Sequence, residues 1–210
     1  MNLRERFFIV GDTFFRKLLY SQLSDCNSIL DVGCGSNSVI GTFPKTFYSE
    51  GIDIYKESII ISKGKKIHDK YIVGDIVKID KYFKKNLFDA VIAIDVIEHL
   101  EKRDARMLIK KMEKIARKKI IILTPNGFTH QGNHENNPYQ KHKSGWHKKD
   151  LEKEGYAVYG LRSFRFLRGE LAMIKLKPWI FWGFIAFITE PLLYYFPDFS
   201  FDLFAVKNKK

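Results

Sequence analysis

A doubly wound α/β fold is predicted by two observations along the sequence. Short β-branched runs alternate with segments of helical spacing, and four of the strand-like runs end at or just before an acid. Alternating strands and helices indicate βαβ units and a mostly parallel sheet. In such a sheet, ligands bind beyond the carboxyl ends of the strands. A ligand site is therefore predicted at the edge that carries Asp31, Asp53, Asp75 and Asp95.

The predicted elements follow one another in a regular order. Strands are expected at 28–32, 47–53, 71–73, 88–94 and 119–123, with helices at 56–65 and 101–117. A helix at 148–154, a strand within 155–169 and a last strand at 199–207 complete the pattern. Residues 1–27 are expected to form a helical cover over a core at 28–127. The length of 210 residues fits one domain.

Charge and cysteine content limit the partners and the compartment. The formal net charge is +12, which favours anionic partners such as nucleic acid, lipid headgroups or acidic metabolites. The two cysteines show neither a disulfide framework nor a metal-binding spacing, as expected in a reducing compartment. The first residues lack the apolar core of a secretory signal. The sequence therefore predicts a cytoplasmic protein.

A glycine turn after the first strand suggests an adenosine ligand. Gly33 and Gly35 let the backbone turn tightly and let a ligand approach the main chain. Ser38 stands where the dinucleotide pattern has its third glycine, which argues against NAD. Asp53 lies twenty residues beyond Gly33 at the end of the second strand. A carboxylate there can bind both hydroxyls of a ribose.

Four stretches taken together identify a family. DVGCG at 31–35, GIDIY around Asp53, VGDI around Asp75 and FDAVIAIDVIEHL at 88–100 resemble the class I S-adenosylmethionine-dependent methyltransferases of the small-molecule type. The resemblance runs from about Ile29 to Asn126. It implies a Rossmann-like, seven-stranded sheet with an antiparallel last strand, and S-adenosylmethionine as the cofactor. The implied cofactor-binding residues are Asp31, Gly33, Gly35, Asp53, Ile54, Asp75, Ile76 and Asp95.

The same resemblance assigns parts of the cofactor to these residues. Gly33 and Gly35 would face the methionine part, with Asp95 beside it. Asp31 would hold the loop and the methionine amino group. The ribose hydroxyls fall to Asp53, and the adenine to Asp75 with Ile76.

Two histidines are the candidate catalytic residues. Transfer to oxygen requires removal of a proton, and histidine is suited to that near neutral pH. His99 follows the fourth strand, and it either acts as a base or orients the acceptor; a purely structural role stays open. His142 lies in residues 128–147, which we predict to be an acceptor-binding flap. Trp146 of this segment either stacks on the acceptor or anchors the flap to the core.

No metal is predicted. The flap contains His130, His134, His142 and His147 but no thiolate, and the intervals fit no common zinc-ligand set. Some ubiquinone-biosynthesis O-methyltransferases, which the run DVIEH at 95–99 resembles, bind a divalent metal through an acid–x–x–Glu–His cluster. Here Asp95 replaces the longer glutamate of that cluster.

An apolar stretch at 178–197 stands out between the last two predicted strands. It carries one charge, Glu190, and we expect Pro191 to interrupt its helix after eleven residues, too few to cross a bilayer. Positive residues flank both ends, which suits peripheral contact with an anionic inner membrane face. A lid over the acceptor site or a homodimer interface is the alternative.

The expected activity is methyl transfer to a small or lipid-linked acceptor, at oxygen. An RNA methyltransferase is one alternative, and a non-catalytic membrane-associated protein that retains the cofactor fold is another. Nucleic acid is disfavoured because DVIEH occupies the place where base-amino methyltransferases carry Asn/Asp-Pro-Pro-aromatic.

Overall fold

The computed structural model describes residues 3–131, 137–169 and 172–209, with side chains from residue 13 onward. Seven strands form one sheet, in the order β3-β2-β1-β4-β5-β7-β6. The strands are β1 (Ser28–Val32), β2 (Tyr48–Asp53), β3 (Lys70–Val73), β4 (Phe88–Ile94), β5 (Ala116–Pro125), β6 (Ala157–Phe164) and β7 (Ser200–Asn208). The helices are α1 (Leu3–Gln22), α2 (Lys56–Gly64), α3 (Lys102–Ile115), α4 (Lys148–Lys153) and α5 (Trp179–Leu193).

The direction of the strands confirms the predicted sheet. β1 pairs in parallel with β2 and β4, and β4 pairs in parallel with β5. β7 runs antiparallel to both of its neighbours, β5 and β6. The mostly parallel, Rossmann-like sheet with an antiparallel end is thus present, and its parallel strands direct their carboxyl ends to one edge.

Two apolar layers cover the sheet because its inner strands are apolar on both faces. Every residue of β4 except its last is buried. On one side Phe15, Leu19 and Leu23 pack from α1 and the turn after it, at four-residue spacing. On the other side Leu108 and Met112 pack from α3. The described part of α1 therefore covers the sheet as predicted for the segment before β1.

The fifth strand begins earlier than the sequence predicts. The helical pattern was expected to continue to residue 117, but α3 ends at Ile115 and β5 begins at Ala116. An ion pair joins the starts of the two strands, because Arg117 Nε in β5 lies 3.0 Å from Asp89 Oδ1 in β4. A charged run that looks helical in isolation thus serves as the solvent-facing start of a strand.

The apolar stretch between β6 and β7 forms a single helix, α5. Its buried side consists of Gly183, Ala186, Glu190 and Leu193. The helix continues through Pro191, where an interruption was predicted. Proline removes its own N–H donor, and its ring crowds the carbonyl four residues earlier. Glu190 offsets this cost because its Oε1 accepts a hydrogen bond of 2.6 Å from the Arg162 N–H of β6 and so holds the last turn on the sheet.

The helix is packed onto the sheet through β6. The Gly160 N–H donates to Tyr194 O at 3.1 Å, and the Tyr159 and Tyr194 rings stack with centroids 4.4 Å apart. Among the described helices, none is both long enough and apolar enough to cross a membrane. The fifteen residues of α5 correspond to about 22 Å, against a hydrocarbon core of about 30 Å.

Candidate active site

The side chain of Asp31, in β1, supports the glycine turn that follows this strand. Asp31 is buried and accepts a hydrogen bond from Ser38 Oγ, while His68 Nε2 lies 3.3 Å from the same carboxylate. Gly33 has φ +68°, and a side chain there would contact Val96. Gly35 has φ +56° and open space around its Cα, so its backbone faces a free volume. The geometry suits close approach of a ligand to the turn.

Asp53 at the end of β2 is joined to that turn. Gly35 N–H donates to Asp53 Oδ2 at 2.9 Å, and Tyr55 N–H donates to Asp53 Oδ1 at 2.8 Å. Burial raises the pKa of Asp53, whereas these two N–H groups lower it. Each oxygen keeps one unused lone pair in this arrangement. The carboxylate can therefore still accept hydrogen bonds from two neighbouring hydroxyls.

The third acid lies on the next strand along the sheet edge. The Gly74 N–H donates to Asp53 O at 2.9 Å, which brings Asp75 beside the end of β2. Asp75 caps the following 3₁₀ turn through Val77 N–H at 3.0 Å. Ile54 is partly exposed, and Ile76 packs partly against the core. The structure thus places Asp53, Ile54, Asp75 and Ile76 around one edge of the sheet.

Asp95 occupies a strained position at the end of β4. Its φ is +54°, a conformation that costs a non-glycine residue free energy and that is frequent at functional sites. Arg162 Nη1 lies 3.6 Å from Asp95 Oδ2 and 2.7 Å from Asp202 Oδ2. Burial raises the pKa of Asp202 to about 7, while Arg162 acts in the opposite direction. This bridge from β4 to β6 and β7 was not predicted.

The 3₁₀ turn after β4 brings the two candidate catalytic histidines together. The His99 and His142 rings meet edge to face, with their centroids 4.8 Å apart. Glu98 is buried beside them and accepts a hydrogen bond of 2.9 Å from Thr124 Oγ1. Burial, with a contribution from Asp95, raises the pKa of Glu98 well above its usual range. Glu98 was not among the predicted site residues, although it lies in the run DVIEH at 95–99.

Backbone contacts explain why residues more than forty apart meet. The N–H groups of Lys143 and Ser144 donate to Glu98 O at 2.8 and 3.0 Å. Trp146 is fully buried, and its Nε1–H donates to Ser144 Oγ. Of the two roles left open for Trp146, the structure shows that of an anchor to the core. The described part of the flap is thereby fixed against the end of β4.

The surroundings of the histidines set their protonation. His142 Nδ1 lies 2.6 Å from Thr129 O; a carbonyl only accepts, so Nδ1 carries the proton and Nε2 has a free lone pair. Burial, assisted by His142, lowers the pKa of His99 to about 4. Burial also lowers the pKa of His142. Both rings are therefore neutral at neutral pH, the form that binds a metal or accepts a proton.

Glu98, His99 and His142 also form a donor set that fits a divalent cation. One ligand atom from each lies within 4.8 Å of the others. Within the described part of the chain, the buried atoms Glu98 Oε1 and His99 Nδ1 have no hydrogen-bond partner. One carboxylate and two imidazoles suit several divalent ions. The expectation of no metal was based on the intervals of the flap histidines and on Asp95; this donor set takes only His142 from the flap and does not need Asp95.

The other flap histidines do not belong to this cluster. His130 lines a pocket beside it and contributes to the lowered pKa of His142, and His147 is exposed at the start of α4. His134 falls in 132–136, outside the described residues. His68 and Ser38 were not predicted to support Asp31. In the sequence, Ser38 is visible only as a polar residue near the glycine turn, and His68 only as a polar residue between α2 and β3.

Comparisons with known proteins agree with this geometry. A family model described as a methyltransferase domain matches residues 30–124. Residues 30–124 belong to the methyltransferase domain family. The match begins within β1 and ends within β5, so it spans the glycine turn, the four acids and His99. The predicted enzyme class, with S-adenosylmethionine as its cofactor, is confirmed for this domain. No curated protein sequence matches the chain.

Solved structures share the fold of the methyltransferase domain over nearly the whole chain. A SAM-dependent methyltransferase from Archaeoglobus fulgidus is 18% identical, with a TM-score of 0.58 and coverage of 97% of this chain and 99% of that one. Magnesium protoporphyrin IX methyltransferase from Synechocystis PCC 6803 with bound SAM is 17% identical, with a TM-score of 0.58 and coverage of 99% and 85%. The methyltransferase domain of bacterial CtHen1 is 19% identical, with a TM-score of 0.59 and coverage of 95% and 100%.

Proposed function

We propose that this methyltransferase transfers the methyl group of S-adenosylmethionine to a hydroxyl oxygen of a small or lipid-linked acceptor. The observation that carries the proposal is the buried cluster of Glu98, His99 and His142 at the end of β4. An oxygen acceptor must lose a proton as its bond to the methyl carbon forms and the carbon–sulfur bond breaks. A neutral imidazole beside the cofactor edge suits that step.

His142 is the better proton acceptor of the two. Its Nδ1–H is held by Thr129 O, which orients the ring and leaves Nε2 to receive the hydroxyl proton. The pKa of His99, lowered to about 4, makes it a weak base, so we assign it to orienting the acceptor. With a divalent cation held by Glu98, His99 and His142, Nε2 of His142 would be a ligand rather than the base, and the cation would instead lower the pKa of a hydroxyl bound to it.

The cofactor is assigned to the predicted edge. The turn formed by Gly33 and Gly35 binds the methionine part, with open space at Gly35, and Asp53 binds the ribose hydroxyls. Asp75 and Ile76 contact the adenine. The arrangement of these residues along adjacent strand ends supports the assignment.

We also place the enzyme at an anionic membrane surface. α5 exposes an apolar face opposite its buried side, and it includes Phe181, Phe184, Phe187 and Ile188, each more than half exposed. Lys175 and Lys177 precede the helix. Interfacial aromatic residues beside lysines complement the headgroup region of an anionic leaflet. Such a position gives access to a lipid-linked acceptor.

The basic run at 110–119 gives little support to an RNA substrate. Four of its cations are already paired with carboxylates: Lys111 with Asp80 at 2.6 Å, Arg117 and Lys118 with Asp89 at 3.0 and 3.6 Å, and Lys119 with Asp25 at 3.1 Å. Paired cations contribute less to phosphate binding than free ones. The net charge alone therefore does not favour nucleic acid over an anionic membrane.

A labelling experiment tests the proposed function. The protein is incubated with methyl-labelled S-adenosylmethionine and a cell extract divided into lipid, small-molecule and RNA fractions. We expect label in the lipid or small-molecule fraction, as a base-stable ether, and its loss with His142→Ala. A base-labile methyl ester would instead indicate a carboxylate acceptor and contradict the hydroxyl assignment. Label confined to RNA would favour the RNA alternative. Cofactor binding without label in any fraction would favour the non-catalytic one.

A further inference from the structure

A pocket of about 710 Å³ opens beside the flap, at the antiparallel end of the sheet. Its walls come from four places: the residues after β5, the end of β6 with the turn after it, the segment before α5, and the residues that lead into β7 with the start of that strand. The lining residues are Phe128, Thr129, His130, Phe164, Arg165, Phe166, Arg168, Lys175, Asp198, Phe199 and Phe201. The volume is sufficient for a drug-sized ligand.

One part of this pocket is aromatic. The Phe164 and Phe166 rings lie 5.4 Å apart, and Phe166 and Phe199 are 56% and 62% exposed. Large aromatic rings left in water around a concave volume favour an apolar ligand, because burial of each ring is favourable. The aromatic part therefore suits a hydrocarbon chain or a flat ring.

The other part carries excess positive charge. Arg165 and Lys175 face one carboxylate, Asp198, which itself lies 3.8 Å from Lys148. The third cation, Arg168, lies close to the buried carboxyls of Glu190 and Asp202, and its charge opposes the rise of their pKa values. Arg168 is buried and donates to Ala172 O at 2.6 Å, so its charge is held in place. Among the residues that the structure describes, neither Arg165 nor Lys175 forms an ion pair. These two cations are available to an anion.

The pocket shares a wall with the proposed catalytic cluster. Thr129 lines the pocket, and its carbonyl oxygen holds His142 Nδ1. A ligand that contacts Thr129 in the pocket therefore touches the residue whose carbonyl orients the proposed base. The contact between Thr129 and His142 is direct, with no other described residue between the two atoms.

We propose that this pocket binds the body of the methyl acceptor, and that the acceptor is an anionic amphiphile. Its apolar part lies against Phe164, Phe166 and Phe199, and its phosphate or other anionic group pairs with Arg165 and Lys175. The assignment of the ligand as the acceptor rests on the proposed function, whereas the binding chemistry does not. The anion comes either from a lipid headgroup or from a free phosphorylated metabolite.

Calorimetry with octyl phosphate, octanol and inorganic phosphate tests the pocket. Octyl phosphate should bind, and Arg165→Gln or Lys175→Gln should each weaken it roughly tenfold. The exposed Lys149→Gln is the matched control and should leave binding unchanged. Melting temperatures of all variants verify folding. Equal affinity for octanol, equal affinity for inorganic phosphate, or no binding of octyl phosphate would each overturn the proposal.

The same titration distinguishes a lipid headgroup from a free metabolite as the source of the anion. It also tests the pocket independently of the proposed function. Phosphatidate vesicles should compete with octyl phosphate if the anion is a lipid headgroup, and they should not if it is a free metabolite. No step of the experiment uses S-adenosylmethionine or turnover. Failure of octyl phosphate binding with intact methyl transfer therefore refutes only the pocket, and binding without methyl transfer refutes only the proposed function.

Discussion

The backbone N–H of Gly35 donates to Asp53 Oδ2 at 2.9 Å and so joins the glycine turn after β1 to the end of β2. The two features that predicted an adenosine ligand are therefore one structural unit. Loss of the carboxylate would remove both the proposed ribose ligand and the support of the turn. This relationship makes Asp53 the most informative single position for cofactor binding.

Asp53→Ala should weaken binding of S-adenosylmethionine by about ten- to a hundredfold, since two hydrogen bonds to a charged acceptor are lost. Isothermal titration with the cofactor measures the effect. Glu57→Ala, an exposed acid at the start of α2, is the control and should bind normally. An affinity of Asp53→Ala equal to the control would exclude the ribose assignment.

His142→Ala should lower kcat by about 10²–10⁴ and leave the dissociation constant of S-adenosylmethionine unchanged, because the proposed base contacts the acceptor rather than the cofactor. Single-turnover kinetics and calorimetry separate the two quantities. His147→Gln, at an exposed histidine of the same flap, should retain full activity. A fall in cofactor affinity equal to the fall in turnover would indicate a structural role for His142.

A divalent ion such as Mn²⁺ should stabilise the folded protein if Glu98, His99 and His142 bind it. At an ion concentration a hundred times its dissociation constant, the free energy of unfolding should rise by about 2.7 kcal/mol. Thermal unfolding with the ion and with a chelator measures the difference. Glu98→Gln should abolish the gain, and His147→Gln should preserve it. An absence of stabilisation in the unaltered protein would leave proton transfer as the only role of the cluster.

The pKa of His99, lowered from 6.5 to about 4, predicts how stability depends on pH. Between these values the unfolded chain binds a proton that the folded protein excludes, so stability should fall as pH decreases from 6.5 and should level off below 4. Urea unfolding at several pH values, in the presence of a chelator, measures the slope. His99→Asn should reduce it, and an unchanged slope would contradict the burial of a neutral ring.

Replacement of Phe184 and Phe187 by Asp should prevent flotation with anionic vesicles, because each buried phenylalanine contributes about 1.5–3 kcal/mol to membrane contact. The matched control, Ile60→Asp with Ile61→Asp on the exposed side of α2, should float like the unaltered protein. If nothing floats, and the solution mass is that of a dimer which the variant loses, α5 is a dimer interface. If nothing floats and the mass is that of a monomer, α5 is a lid.

Sequence patterns predicted the elements whose signal is local. β1, β4 and the glycine turn could be identified because buried parallel strands are continuous apolar runs that end at punctuating residues. The catalytic cluster could be predicted only as separate parts. Its assembly depends on Lys143 and Ser144 N–H groups reaching Glu98 O, a contact between distant segments that no local pattern encodes.

Pro191 shows the opposite error. Pro191 was predicted to interrupt the helix, as proline usually does, but the packing of Glu190 and Leu193 against β6 keeps that last turn helical. Arg162 and Asp202 were missed for a related reason. Charged residues within apolar strands carry no periodic signal, and only the three-dimensional pairing of β6 with β7 brings them beside Asp95.

The position of β7 in the sheet has a consequence for the order in which the protein is completed. β7 is the last strand in sequence, yet it lies between β5 and β6, and β6 has no other strand partner among the described residues. During synthesis on the ribosome, β6 and α5 emerge before the strand that connects them to the rest of the sheet. A nascent chain that has reached residue 199 already contains the glycine turn and both histidines, but it lacks the strand that joins β6 to β5. Until β7 pairs with both strands, β6 and the helix α5 that packs on it are therefore not yet part of the continuous sheet.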